Sequence, residues 1–128
     1  MIGKYGMSMN LQRETLGGRK DMVEIVKVGK TWNDARNKAL PIFNNDYVEM
    51  GIFLLLPGER SPKEGFSIHP NSEEYAYILE GEVVFCTNKQ CYNLKEGDIM
   101  YNAPGTPHYT ENRGKNEAKI IWVVSPPL

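Results

Sequence analysis

The chain contains two histidines, so chemistry that needs imidazole must use His69 or His108. His69 closes a predicted strand, the turn Pro70-Asn71-Ser72-Glu73 follows, and Glu74 opens the next strand. A tight reversal of this kind sets an imidazole and a carboxylate on one side of a hairpin. His108 comes later, just after Pro104-Gly105-Thr106-Pro107 and at the start of another strand, where folding can deliver it beside the first pair. Two imidazoles and one carboxylate form a facial triad, an arrangement that holds iron or a similar divalent ion and leaves coordination positions open. The same side chains would equally serve as a hydrogen-bonded polar cluster lining a barrel without metal. Ser67 lies on the strand face of His69, so its hydroxyl can assist directly or through a bridging water. As a nucleophile Ser67 has little support, because neither a GxSxG elbow nor an acid in triad order accompanies it.

The elements that must position these residues are strands. Residues 47–56, 66–69, 74–80, 82–87, 90–94, 98–101, 108–111 and 118–125 read as strands. Pro57-Gly58, Pro70-Asn71, Gly81, Asn88-Lys89, Glu96-Gly97, Pro104-Gly105 and Gly114 separate them and supply turn dihedrals. Eight short strands at this spacing predict an all-β antiparallel barrel or jelly roll. Upstream, Val23, Ile25 and Val28 mark a short strand, and Thr31-Trp32-Asn33-Asp34 looks like a cap opening one or two helical turns that Pro41 ends. Residues 1–21 show neither strand nor helix period and read as an N-terminal arm before a barrel over 22–128. On β alternation, Ala76 and Ile78 share the face of Glu74, while Tyr75, Tyr77 and Leu79 face away; Thr110 and Asn112 share the face of His108. Met50, Phe53, Met100, Tyr101 and Trp122 are candidate apolar walls of a ligand pocket, or plain core.

Composition narrows the function classes. A chain of 128 residues suits one domain. With 15 Lys+Arg against 16 Asp+Glu the net charge is −1, and no basic patch stands out, so nucleic acid is not an expected partner. The longest apolar run is too short to span a bilayer and no secretory leader is evident, which leads to the expectation of a cytoplasmic protein without a membrane partner. No Walker or dinucleotide glycine loop and no CxxC pair is present. If Asn88-Lys89 is a two-residue hairpin loop, Cys86 and Cys91 sit directly across the strands within reach of a disulfide; in a reducing compartment two free thiols are the expectation.

The spacing of these residues resembles the cupin superfamily, whose motifs are G-x5-H-x-H-x3-4-E-x6-G and G-x5-P-x-G-x2-H-x3-N. His69, Glu74 and Gly81 fit the first, and Gly97, Gly105, His108 and Asn112 fit the second. Ser67 stands in place of the first histidine, Ala103 in place of the proline, and the leading glycine of the first motif is not at its usual distance. The resemblance implies a double-stranded β-helix, with His69, Glu74 and His108 as the ligands carried over for Fe, Mn, Ni or Zn and Ser67 leaving that set one short. Segments 69–81, 92–98 and 122–127 also resemble the small-molecule-sensing cupin domain of helix-turn-helix regulators, although the residues before the first strand are too few for such a module. The function implied is a small barrel that binds a small organic ligand with a weak divalent metal site; a metal-dependent enzyme of oxygenase or isomerase type is the alternative. Cupins resemble one another in pairing through strand edges, so a homodimer with an exchanged N-terminal arm is expected.

Overall fold

The computed structural model describes residues 12–16 and 23–128. Among the described residues, eleven strands run in chain order: β1 (Gln12–Leu16), β2 (Val23–Lys27), β3 (Leu40–Asn44), β4 (Glu49–Leu55), β5 (Arg60–Ser61), β6 (Glu73–Glu80), β7 (Glu82–Thr87), β8 (Cys91–Lys95), β9 (Ile99–Asn102), β10 (His108–Glu111) and β11 (Ala118–Ser125). They form a four-stranded sheet in the order β5-β10-β7-β8, a five-stranded sheet in the order β3-β4-β11-β6-β9, and the pair β1-β2. Every paired register is antiparallel. This is the jelly-roll form of the double-stranded β-helix, an all-β fold as expected.

Strand β11 shows most directly why the sequence folds this way. Ala118, Ile120, Trp122 and Val124 are buried in alternation with half-exposed neighbours. Their inward row meets Phe53 and Leu55 of β4, Ala76 and Ile78 of β6, and Val83 of β7 in one apolar cluster, with Leu94 and Met100 packed against it. Burying large aliphatic and aromatic side chains contributes roughly 1.5–3 kcal/mol each, so this layer holds the two sheets together. On β6 the expected alternation is observed: Ala76 and Ile78 are buried, and Tyr75, Tyr77 and Leu79 are exposed.

Strand β4 is different, because it is buried on both faces. Its outward Ile52 lies in a second cluster with Ala35 and Ile42, packed by Val26, Val28, Trp32, Leu40 and Phe43. Gly51 allows this close layering: a Cβ there would run into the Leu40 carbonyl and the Trp122 ring. Gly81 alone joins β6 to β7 and holds φ at 74°, a conformation that favours glycine.

Several expectations are corrected. The helix is a 3-10 segment, Gly29–Ala35, with no side-chain cap bond; Thr31 is buried within it and does not open it. Pro41 does not end that helix but lies in β3, where an edge position and a register shift between Pro41 and Phe43 accommodate a residue without an N–H. The predicted strand over 66–69 contracts to a single bridge between Ser67 and His108. Cys86 and Cys91 do lie opposite each other in the β7-β8 register, but they are joined as a disulfide and are not free thiols. Of the expected N-terminal arm, only Gln12–Leu16 is described, as a strand paired with β2; the rest lies outside the described residues. No helix among the described residues is long and apolar enough to cross a membrane.

Asn112 closes the loop after β10. It is fully buried, its amide nitrogen donates to the Leu55 and Asn116 carbonyls at 2.9 Å each, and its side-chain oxygen accepts the Gly114 N–H at 2.8 Å. Replacing it by alanine orphans these buried groups, so Asn112→Ala should lower unfolding free energy in urea by about 2–3 kcal/mol. A loss below about 0.5 kcal/mol, the range of an ordinary surface change, would show that this loop is held elsewhere.

Candidate metal and ligand site

Two strands and one loop converge at the mouth of the barrel. Glu74 enters from the start of β6, in register with Asn102 of β9 and Val124 of β11. His108 enters from the start of β10, opposite Thr87 of β7. Ser67 faces His108 from the other side, with Ser67 N donating to His108 O at 2.8 Å and His108 N donating to Ser67 O at 2.9 Å. His69 is held through its carbonyl, which accepts the Gly105 N–H at 2.9 Å. The turn Pro104-Gly105 therefore ties the two histidine segments together.

The donor atoms of His69, Glu74 and His108 lie within 4.8 Å of one another. The ring of His108 is fixed from two sides: it stacks on Phe85 at a centroid distance of 5.2 Å, and its Nδ1 lies 2.8 Å from the Thr106 carbonyl. The carbonyl can only accept and lies nearer than the Asn102 side-chain amide, whose nitrogen is 3.3 Å from Nδ1, so the shorter contact assigns the proton to Nδ1 and leaves the Nε2 lone pair of a neutral ring free. That nitrogen faces Glu74 Oε1 at 3.6 Å. Glu74 Oε1 is buried and has no hydrogen-bond partner. Two lone pairs facing each other out of water repel unless a cation, either a proton or a metal ion, lies between them. The His69 ring packs 5.0 Å from that of His108 and adds a second imidazole to the same point. The donor set of two nitrogens and one carboxylate oxygen suits a borderline divalent ion.

Behind the triad is a cavity of about 490 Å³, a size that holds a drug-sized molecule. Of the residues predicted to line it, Ser67, Phe53, Met100 and Trp122 do so. Trp122 is pinned there by its indole N–H, which donates to the Ile52 carbonyl at 3.0 Å. Tyr101 does not: it is 55% exposed on the outer face of β9 and pairs with Tyr75 across the strands. Met50 is also on the outer side. Thr110 lines the cavity, whereas Asn112 turns into the loop contacts described above.

Sequence reasoning missed Phe85 and Glu49. Glu49 is 3% exposed, lines the cavity, and accepts the Leu128 N–H at 3.0 Å. The signal was there, since Glu49 shares the strand face of Phe53 at period 2, but a carboxylate at the start of an apolar strand reads as its solvated end.

Comparison with known proteins gives the site a family context. A cupin domain model matches residues 51–124. The chain is 34% identical over 77 residues to the tetracenomycin polyketide synthase protein TcmJ of Streptomyces glaucescens, covering 60% of this chain and 50% of that protein. A solved structure, TT1209 from Thermus thermophilus, aligns with a TM-score of 0.63 and 27% identity over 70% of this chain and 83% of its own. The cupin domain of Schizosaccharomyces pombe Cnp3 aligns with a TM-score of 0.70 over 92% of this chain and 88% of its own, and at 13% identity this is likeness of fold. The chain spans about half the length of the curated relatives it matches.

His69 titrates below its ordinary 6.5: burial lowers it most, Glu74 raises it, His108 lowers it and Glu49 raises it. In metal-free protein, the imidazole midpoint of His69 followed by NMR should therefore lie below 6.5. The linked effect on stability has a definite sign. Above about pH 6.5 both states hold the ring neutral; as pH falls, the unfolded chain takes up the proton first, so stability declines until pH passes the depressed folded value. His69→Gln should remove that part of the decline. A midpoint at or above 6.5 would mean that the two carboxylates outweigh burial.

Proposed function

The chain belongs to the cupin domain family, and we propose that its barrel binds a small organic molecule beside a divalent ion held by His69, Glu74 and His108. The observation that carries this is the pair of facing acceptors, Glu74 Oε1 without a hydrogen-bond partner and His108 Nε2 at 3.6 Å. A proton alone would satisfy two of the three donors. A divalent ion would satisfy all of them and, with a facial set, keep positions open toward the cavity. When bound, such an ion supplies Lewis acidity toward a ligand oxygen. Phe85 and the Thr106 carbonyl orient His108, the Ser67 backbone fixes its strand, and Ser67 lines the cavity at the position where the cupin motif has a further histidine.

A second reading, a metal-dependent enzyme of oxygenase or isomerase type, draws on the continuity of triad and cavity, which places a bound molecule against the ion. The likeness to a polyketide synthase protein favours an organic substrate over a purely structural ion. Its mark would be turnover that is lost with chelator and returns with one metal.

Titration calorimetry of metal-free protein with Fe(II), Mn(II), Ni(II) and Zn(II) tests the common core of both readings. Wild type should take up one ion per chain, and His108→Ala should abolish uptake. Ser67→His places an imidazole directly across the strand from His108 and should tighten binding about tenfold or more, the scale on which ligand-shell changes act. Uptake of none of the four by wild type and by Ser67→His would sink the metal assignment.

A further inference from the structure

Charge inside the cavity separates the molecules it can take from those it cannot. Among the residues lining it, Glu49 and Glu74 are the carboxylates and none is lysine or arginine. Phe53, Ile78, Phe85, Met100, Ile120 and Trp122 make the walls apolar. Glu49 enters from β4, which borders β11 on the side away from the β6 strand that supplies Glu74. It is buried, and its negative charge is felt at His69. A divalent ion held with one carboxylate leaves a single surplus positive charge, and Glu49 cancels it. An anionic ligand would then be buried in a low-dielectric space without a countercharge, which is costly.

We propose that the cavity selects uncharged, ring-sized apolar molecules bearing a hydroxyl, and that Glu49 is the residue that enforces this by excluding anions and accepting a hydrogen bond from the hydroxyl. The inference rests on the ligand site proposed above and names the class of molecule it takes. Glu49 has the capacity for both roles. One oxygen accepts the Leu128 N–H, and a carboxylate offers about four acceptor sites, so it keeps acceptors for a ligand. Sugar phosphates and short dicarboxylates are disfavoured on the same ground, because no lysine or arginine of the lining pairs their charge and the two lining histidines are committed to the triad.

The test compares two probes of one shape, 2-naphthol and 2-naphthoate, near neutral pH, where the first is uncharged and the second is an anion. Binding is measured by calorimetry on the full chain stripped of metal with chelator, so that coordination cannot mask the charge effect. Wild type should bind 2-naphthol and bind 2-naphthoate about tenfold or more weakly, because like charges meet out of water. Glu49→Gln keeps an acceptor for Leu128 and should narrow the gap by about threefold or more by removing its share of that repulsion, Glu74 supplying the rest. Equal or tighter binding of the anion by wild type, or a gap unchanged in Glu49→Gln, overturns the role of Glu49. Binding of glucose 6-phosphate or oxalate but of neither naphthalene overturns the ligand class. The wild-type ratio stands as a test even if the variant fails to fold. Metal uptake is read separately, so loss of the metal reading and loss of this one give different results.

Discussion

One oxygen of the half-buried Glu74 carboxylate, Oε1, is withdrawn from water and lacks a hydrogen-bond partner, and the arrangement of the barrel mouth follows from that constraint. An unsatisfied buried acceptor costs on the order of 1–3 kcal/mol, and more when charged. It persists only where the surroundings leave it no alternative. Here the surroundings are two sheets: β6 carries Glu74 and is locked between β11 and β9, while β10 carries His108 and is locked between β7 and β5. Neither sheet can move its donor without breaking the apolar layer that β11, β4, β6 and β7 share. The facing of Glu74 Oε1 and His108 Nε2 is thus held by core packing at a distance from it, and such pre-organisation reduces the cost of binding any ion placed there.

Much of the fold was legible in the sequence because short apolar stretches such as Tyr75–Leu79 and Ile120–Val124 are bounded by turn residues. Burial alternates along β11 and through the middle of β6, as the pleat requires, and the turn residues mark where strands stop. Legibility failed where a strand is covered twice. Strand β4 is apolar on both faces because the 3-10 segment and β2–β3 region pack on its outer side, so its pattern says little about which side is inward. Pro41 was misread for a related reason. Proline ends helices and also tolerates edge strands, and only the sheet order decides between them. Ser67 to His69 hold their place through one bridge and the Gly105–His69 bond, contacts made by residues distant in the chain.

For the site, spacing brought out His69, Glu74 and His108, because hairpin geometry and strand starts are local properties. Residues that act from other strands stayed hidden. Phe85 lies across from Thr110 in the β7-β10 register, and its stacking on His108 requires knowing that pairing. Glu49 required knowing that the start of β4 is covered by Leu128. Tyr101 shows the reverse failure. Strand β9 was taken to offer both Met100 and Tyr101 to the pocket, but neighbours on one strand point to opposite faces, so only Met100 can line the cavity.

Ser67 separates two properties that the triad would otherwise confuse. Its backbone pairs with that of His108 through two hydrogen bonds, so the direction of its Cβ is set by the sheet and not by any ligand. A serine at this position therefore changes the number of donors without changing where they would stand. The consequence is a mouth wider by the difference between an imidazole and a hydroxymethyl group, directly against an apolar cavity. Under the proposed function, space withheld from a fourth protein ligand would become space for a small molecule to approach the triad. In this barrel the scaffold is kept by core burial, and the chemistry is adjusted one side chain at a time at its rim.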